Sequence, residues 1–189
     1  MLNRLTISAL LKSVIALMAA CVVAFLVMTA WGSWGRLQTA ARISVIADAS
    51  THAFKAMSNL RTDRATTSSN LNAADVTTAD SIKTQQGYRD IINPALRSLL
   101  DLAATVKFTE SNTLLPSLTR QFDTLKALQT ESIAAMGQPK ASRRAALGKE
   151  YADAATTLLQ TLEKMVTQLS AVVSHVDPVV DQLLAIKQI

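Results

Sequence analysis

A single cysteine, Cys21, in 189 residues excludes an intrachain disulfide and any cysteine-ligated metal or haem site. Glycine (5) and proline (4) are scarce, so the frequent turns of a strand-rich fold are missing. Aromatic residues are only 4% of the chain. They do not interleave with basic residues as a nucleic-acid strand would require, so no nucleic-acid partner is expected. There is no nucleophile–base pair, no phosphate-binding loop and no H-E-x-x-H. An enzyme is therefore not expected. The two histidines, His52 and His175, stand alone on separate segments. A metal site wants several ligands at matched spacing, so neither a metal nor a cofactor is expected.

Charge is also missing from one long stretch near the start. Ser13 to Gly35 contains no Asp, Glu, Lys or Arg. As a helix, its 23 residues would be roughly 34 Å long, against a hydrocarbon core of roughly 30 Å. A cleaved leader has a shorter apolar region and a small-x-small exit. This run instead ends in Trp31 and Trp34, which suit a membrane interface. We expect a cytoplasmic stub over 1–12, a transmembrane helix over 13–35 and an exported domain over 36–189. Arg4, Lys12 and the amino terminus, set against Arg36 and Arg42, favour the short amino end inside. The bulk of the chain would then be periplasmic, anchored in a bacterial inner membrane.

The remainder is rich in Ala, Leu, Thr, Ser and Gln, without strand-like alternation, which is an all-α composition. Two of the chain's 19 basic residues precede the span, leaving 17 against 14 acids, so the basic excess is spread thinly. The first helix is expected to continue past the span with apolar or small residues at Val45 or Ile46, Ala49, Ala53, Ala56 or Met57, Leu60, Thr67 and Leu71. Arg64 takes the slot between Leu60 and Thr67. Residues 72–80 read as a turn. A second helix carries Ile82, Ile91, Ile92, Ala95, Leu99, Leu102 and Val106, with a kink or restart at Pro94 and Asn93 as its cap. After a turn at 107–112, a third helix carries Leu114, Leu118, Phe122, Leu125, Leu128, Ile133 and Met136. Gly137, as a C′ glycine, and Pro139 end it. The fourth carries Leu158, Leu162, Met165, Leu169, Val172, Val176, Val179, Leu183 and Ile186, alternating spacings of four and three, with a mild bend at Pro178. The seam is still running at Ile189, and a second membrane span is expected beyond it. Four such helices pack as an up-down-up-down four-helix bundle with very long first and fourth helices.

Arg61 and Arg64 lie three apart on neighbouring parts of one helix surface. An arginine in an apolar seam needs a partner. We expect a guanidinium presented to a carboxylate ligand, aided by Thr66 and Thr67, set against a salt bridge to Asp63 or to another helix, or a solvated face. Lys140, Arg143 and Arg144 are expected to open the fourth helix as a solvated cluster, paired with Asp75 or Asp80.

One span, an exported helical domain and a fourth helix aimed back at the membrane resemble the sensor half of the methyl-accepting chemotaxis proteins. The segment Leu60-Arg61-Thr62-Asp63-Arg64-Ala65-Thr66-Thr67 on the first sensory helix shares in that resemblance. The resemblance covers essentially the whole chain and is architectural. It implies a homodimer whose distal half binds a small, often anionic, ligand or a liganded periplasmic binding protein. A helix displacement would then cross the membrane to a chemotaxis output. The same input architecture serves sensor histidine kinases. A reading of a different class is a membrane-anchored helical spacer.

Overall fold

The computed structural model describes the backbone of residues 7–176; the side chains of 1–15, 19, 30–39 and 174–189 are outside the described set. It is all-helical: α1 spans Ile7–Asn72, α2 Ala79–Thr105, α3 Ser111–Met136 and α4 Leu147–Val176, with a 3-10 turn at Lys140–Ser142. No strand occurs among the described residues. The chain divides into two compact units, Met1–Arg42 and Ile43–Ile189.

In the first unit, Leu17, Met18, Val22, Val23, Phe25, Leu26, Val27 and Met28 are 55–75% exposed. The Thr29 hydroxyl donates to the Phe25 and Leu26 carbonyls at 3.0 and 2.9 Å, which removes its polarity from the helix surface. Among the described residues no helix is long and apolar enough to cross a membrane. The expected span at 13–35 is described only in part, and its anchors Trp31 and Trp34 lie outside the described residues.

The second unit is held by one core to which all four long helices contribute. Ile46, Ala49, Ala53, Met57 and Leu60 come from α1; Ile92, Leu96 and Leu99 from α2; Leu118, Phe122 and Leu125 from α3; Leu158, Leu162, Met165 and Leu169 from α4. The three-four periodicity puts these residues on one stripe of each helix, and burial of the stripes drives the packing. A smaller cluster of Leu71, Ala135, Met136 and Leu147 closes the end that carries the 73–78 loop. The expected seam positions Val176, Val179, Leu183 and Ile186, and the bend at Pro178, lie outside the described side chains.

Several local expectations are corrected. Pro94 does not restart α2; the helix runs through it, and Asn93 is an interior residue rather than a cap. Pro94 is exposed, so the carbonyl deprived of its partner can be hydrated. The cap of α2 is Thr78, whose hydroxyl accepts the Ser81 N–H at 3.3 Å. Gly137 follows α3 with right-handed φ −75°, so it is not a left-handed C′ glycine. Among the described residues the one non-glycine residue with positive φ is Glu110, at φ 64° before α3.

Lys140, Arg143 and Arg144 do not open α4, which begins at Leu147. Arg143 is buried and reaches the end of α1. Its Nη1 donates to the carbonyls of Asn70, Leu71 and Ala73 at 2.9, 3.0 and 2.9 Å. Its Nη2 donates to the Asp75 carbonyl at 2.7 Å and its Nε to that of Gln138 at 2.9 Å. Lys140 Nζ donates to the Asn72 carbonyl at 2.8 Å, and Ala73 N–H to that of Ser69 at 3.0 Å. A helix leaves its last four carbonyls orphaned, and here all four are satisfied. The cations sit at the negative end of the α1 dipole, where they are favoured. Arg144 alone pairs with carboxylates, with Glu131 at 2.8 Å and Glu150 at 2.5 Å, and its hydrogen bond holds the Glu131 carboxyl below the usual range.

Candidate functional site

The apolar stripes of all four helices are interrupted by polar residues that meet. Asp63 and Thr67 come from α1, Gln85 and Arg89 from α2, Gln129 and Ser132 from α3, and Tyr151 from α4; all are buried. Each sits at a three- or four-residue step from its helix's apolar stripe: Leu60–Asp63–Thr67, Arg89–Ile92, Gln129–Ser132–Met136 and Tyr151–Ala155–Leu158.

The centre is a buried ion pair. Arg89 Nε lies 3.3 Å from Asp63 Oδ1, with side chains 7% and 0% exposed. Arg89 Nη1 donates to the Gln129 carbonyl at 2.7 Å, and Nη2 to Thr67 Oγ1 at 3.1 Å and Ser132 Oγ at 3.0 Å. The Tyr151 hydroxyl donates to Asp63 Oδ2, and the guanidinium lies 5.6 Å from the Tyr151 ring centroid. Thr67 Oγ1 donates to Asp63 Oδ1 at 3.1 Å. Burial, and then the Asp63 charge, push the Tyr151 phenol well above the usual tyrosine range. A buried charge is tolerated when it is paired and its remaining valences are filled, and this network fills them.

Two clefts flank the network. One lies between α1 and α2, holds about 310 Å³ and is lined by Thr66, Ser69, Asn70, Asp80, Ser81, Thr84, Gln85 and Tyr88. The other lies between α2 and α3, holds about 210 Å³ and is lined by Gln86, Arg89, Asn93, Lys126, Gln129, Thr130 and Ile133. Gln85 Oε1 and Gln129 Nε2 are buried without a hydrogen-bond partner.

The four residues expected to bind a ligand are not brought together. Arg61 is exposed and pairs with Glu163 on α4 at 2.7 Å. Arg64 is half-buried and donates to the Thr156 hydroxyl on α4 at 2.9 Å. Thr66 lines the α1–α2 cleft, and Thr67 belongs to the buried network. The seam slot between Leu60 and Thr67 is taken by Asp63, not Arg64. Arg89 and Tyr151 were not singled out from the sequence, although the signal was there: a polar residue in the stripe of each helix. His52 is half-buried, and no group of His, Cys, Asp or Glu able to hold a metal occurs among the described residues.

No protein-family model, no curated protein and no solved structure matches the chain.

Proposed function

We propose that the chain is a membrane-anchored sensor: a transmembrane helix over 13–35 followed by an up-down-up-down four-helix bundle over 36–189 that binds a small molecule on the far side. The observation that carries this reading is the polar network in the second unit. It joins at least one charged or hydroxylated residue from every long helix, with a cleft on either side. Packed interfaces of this kind have discrete arrangements rather than a continuum. A ligand that favours one arrangement shifts the population, and α1 and α4 are the elements that would relay the shift. Methyl-accepting chemotaxis proteins are the family whose architecture this arrangement resembles, with a homodimer as the working unit and a bacterial inner membrane as the location. A sensor histidine kinase input would differ only in its output.

A second reading of the ligand rests on Arg64. Its guanidinium has no carboxylate partner among the described residues, which suits an anionic ligand or a liganded periplasmic binding protein. A membrane-anchored spacer, the reading of another class, would have no use for flanking clefts.

The test is a chimera. Residues 1–189 are joined to the second span and cytoplasmic half of a known chemoreceptor, and swimming bias is recorded against a panel of small ammonium, carboxylate and neutral compounds. A saturable response that Arg89→Met abolishes is the expected result. A correctly inserted chimera that answers no compound in the panel overturns the sensor reading.

A further inference from the structure

The α1–α2 cleft differs in chemistry from the arginine surface. Its lining includes one carboxylate, Asp80, and neither Lys, Arg nor His. Asp80 is exposed and takes part in no ion pair with the described residues. Gln85, by contrast, is 1% exposed. Its amide orientation follows from the network. The Thr67 hydroxyl gives its proton to Asp63 Oδ1, so Thr67 Oγ1 can only accept from its other neighbours. It accepts from Arg89 Nη2 and, at 3.3 Å, from Gln85 Nε2. The NH2 end of Gln85 therefore faces Thr67, and Oε1 is left as an unpartnered acceptor in a residue that lines the cleft. A buried acceptor without a donor carries an uncompensated desolvation cost, which a ligand donor would recover.

The rest of the lining is consistent with this. Thr66, Ser69 and Asn70 of α1 face Ser81, Thr84 and Tyr88 of α2. The hydroxyls of Thr66 and Thr84 already donate to backbone carbonyls, at 2.9 Å to Thr62 and 2.9 Å to Asp80. They therefore offer the cleft lone pairs rather than protons. The α2 N-terminus would by itself favour an anion, but Thr78 caps it and Asp80 lies in its first turn. An acceptor-rich cleft with a single negative charge and an aromatic wall fits a cation that carries N–H donors.

We propose that the α1–α2 cleft is a binding site for a small primary ammonium compound. Its N–H groups would donate to Gln85 Oε1 and the cleft hydroxyls, and Asp80 would supply the opposing charge. The proposal deepens the sensor reading and rests on it for its meaning, because Gln85 touches Thr67 and so connects the cleft to the Asp63–Arg89 pair.

The experiment is calorimetric titration of the full chain in detergent micelles with n-butylammonium. Tetramethylammonium keeps the charge without N–H donors, 1-butanol keeps the chain without charge, and butyrate inverts the charge. Saturable binding of n-butylammonium alone is expected, weakened about tenfold or more by Asp80→Asn and by Gln85→Met. Asp80 is exposed, so Asp80→Asn tests the site without loading the core. Equal binding of tetramethylammonium, no binding of n-butylammonium, or unchanged affinity in Asp80→Asn overturns the proposal. Binding of butyrate that Arg64→Ala removes also overturns it and leaves the sensor reading standing. Ammonium binding in micelles with a silent chimera keeps the site and removes the sensor.

Discussion

Asp63 and Arg89 depend on each other because both charges are almost wholly withdrawn from water. Removing one leaves the other buried and unpaired, which costs about 3–5 kcal/mol. Arg89→Met is therefore expected to lower unfolding free energy by about that much in urea denaturation, and Asp63→Leu likewise. The double variant should cost less than the two singles together, since it strands no charge; strict additivity would show that the pair is not coupled. Tyr151 adds a pH dependence. Burial and Asp63 raise its phenol above the usual value of about 10. Below about pH 10 the phenol is neutral in both folded and unfolded chain, and its contribution to stability is complete. As pH rises further the unfolded chain ionises first, so the contribution is lost. Stability is expected to fall above about pH 10, and Tyr151→Phe, less stable at neutral pH, should show a shallower alkaline decline. At this scale the sequence is ambiguous for a geometric reason. Leu60 and Thr67 bracket both Asp63 and Arg64 at allowed helical steps, and adjacent residues differ by about 100° around the axis. The choice falls to Asp63 because Arg89, 26 residues on, supplies its counter-charge inside.

Among the elements, the stripes of α1 to α4 were largely legible from periodicity, because burial of one face is what selects these helices; Ile91, expected on the α2 stripe, is instead exposed beside the buried Ile92. Leu158, Leu162, Met165 and Leu169 are all buried as the alternating four-three spacing requires. The ends were less legible. Proline chemistry argued for a break at Pro94, but a proline on the exposed face of a packed helix loses one hydrogen bond and little else. The Lys140–Arg144 cluster looked like the start of a helix, yet two of its cations, Lys140 and Arg143, serve the end of a different one. Only tertiary structure brings Arg143 to carbonyls roughly 70 residues earlier, as the separations of 70 and 73 residues show. Arg143→Ala should cost about 2–3 kcal/mol, because several buried carbonyls lose a charged donor at once. Hydrogen exchange should then rise at the end of α1 and in the 73–78 loop before it rises in the core. Arg143→Lys should rescue little, since an ammonium group cannot span carbonyls on both sides of the fork. Uniform exchange changes along the chain would show that Arg143 acts on global stability instead of the α1 terminus.

For the whole molecule, the first unit sets the constraint. Eight large apolar side chains between Leu17 and Met28 stand 55–75% exposed on one helix. Soluble monomers rarely expose contiguous apolar patches of more than a few hundred Å². Thr29, which directly follows that run, turns its hydroxyl onto the helix's own carbonyls. A helix in lipid must satisfy its polar groups internally, so this surface has the chemistry that a bilayer accepts. The second unit has the opposite character: among its described residues the large apolar side chains are mostly inside, with Phe54, Val76 and Ile91 as the exceptions. The full chain is expected to sediment with membranes and to resist alkaline carbonate extraction. Val23→Arg places a charge near the middle of the apolar run, at an insertion cost of about 2.5–3.5 kcal/mol. It should shift a measurable fraction of the chain into the carbonate-soluble pool. Val23→Leu should leave extraction unchanged, and Asp80→Asn, far from the run in sequence, serves as a second control. If the wild-type chain itself were released by carbonate, the apolar surface would need a protein partner to cover it, and the anchored reading would give way to that of a helical assembly.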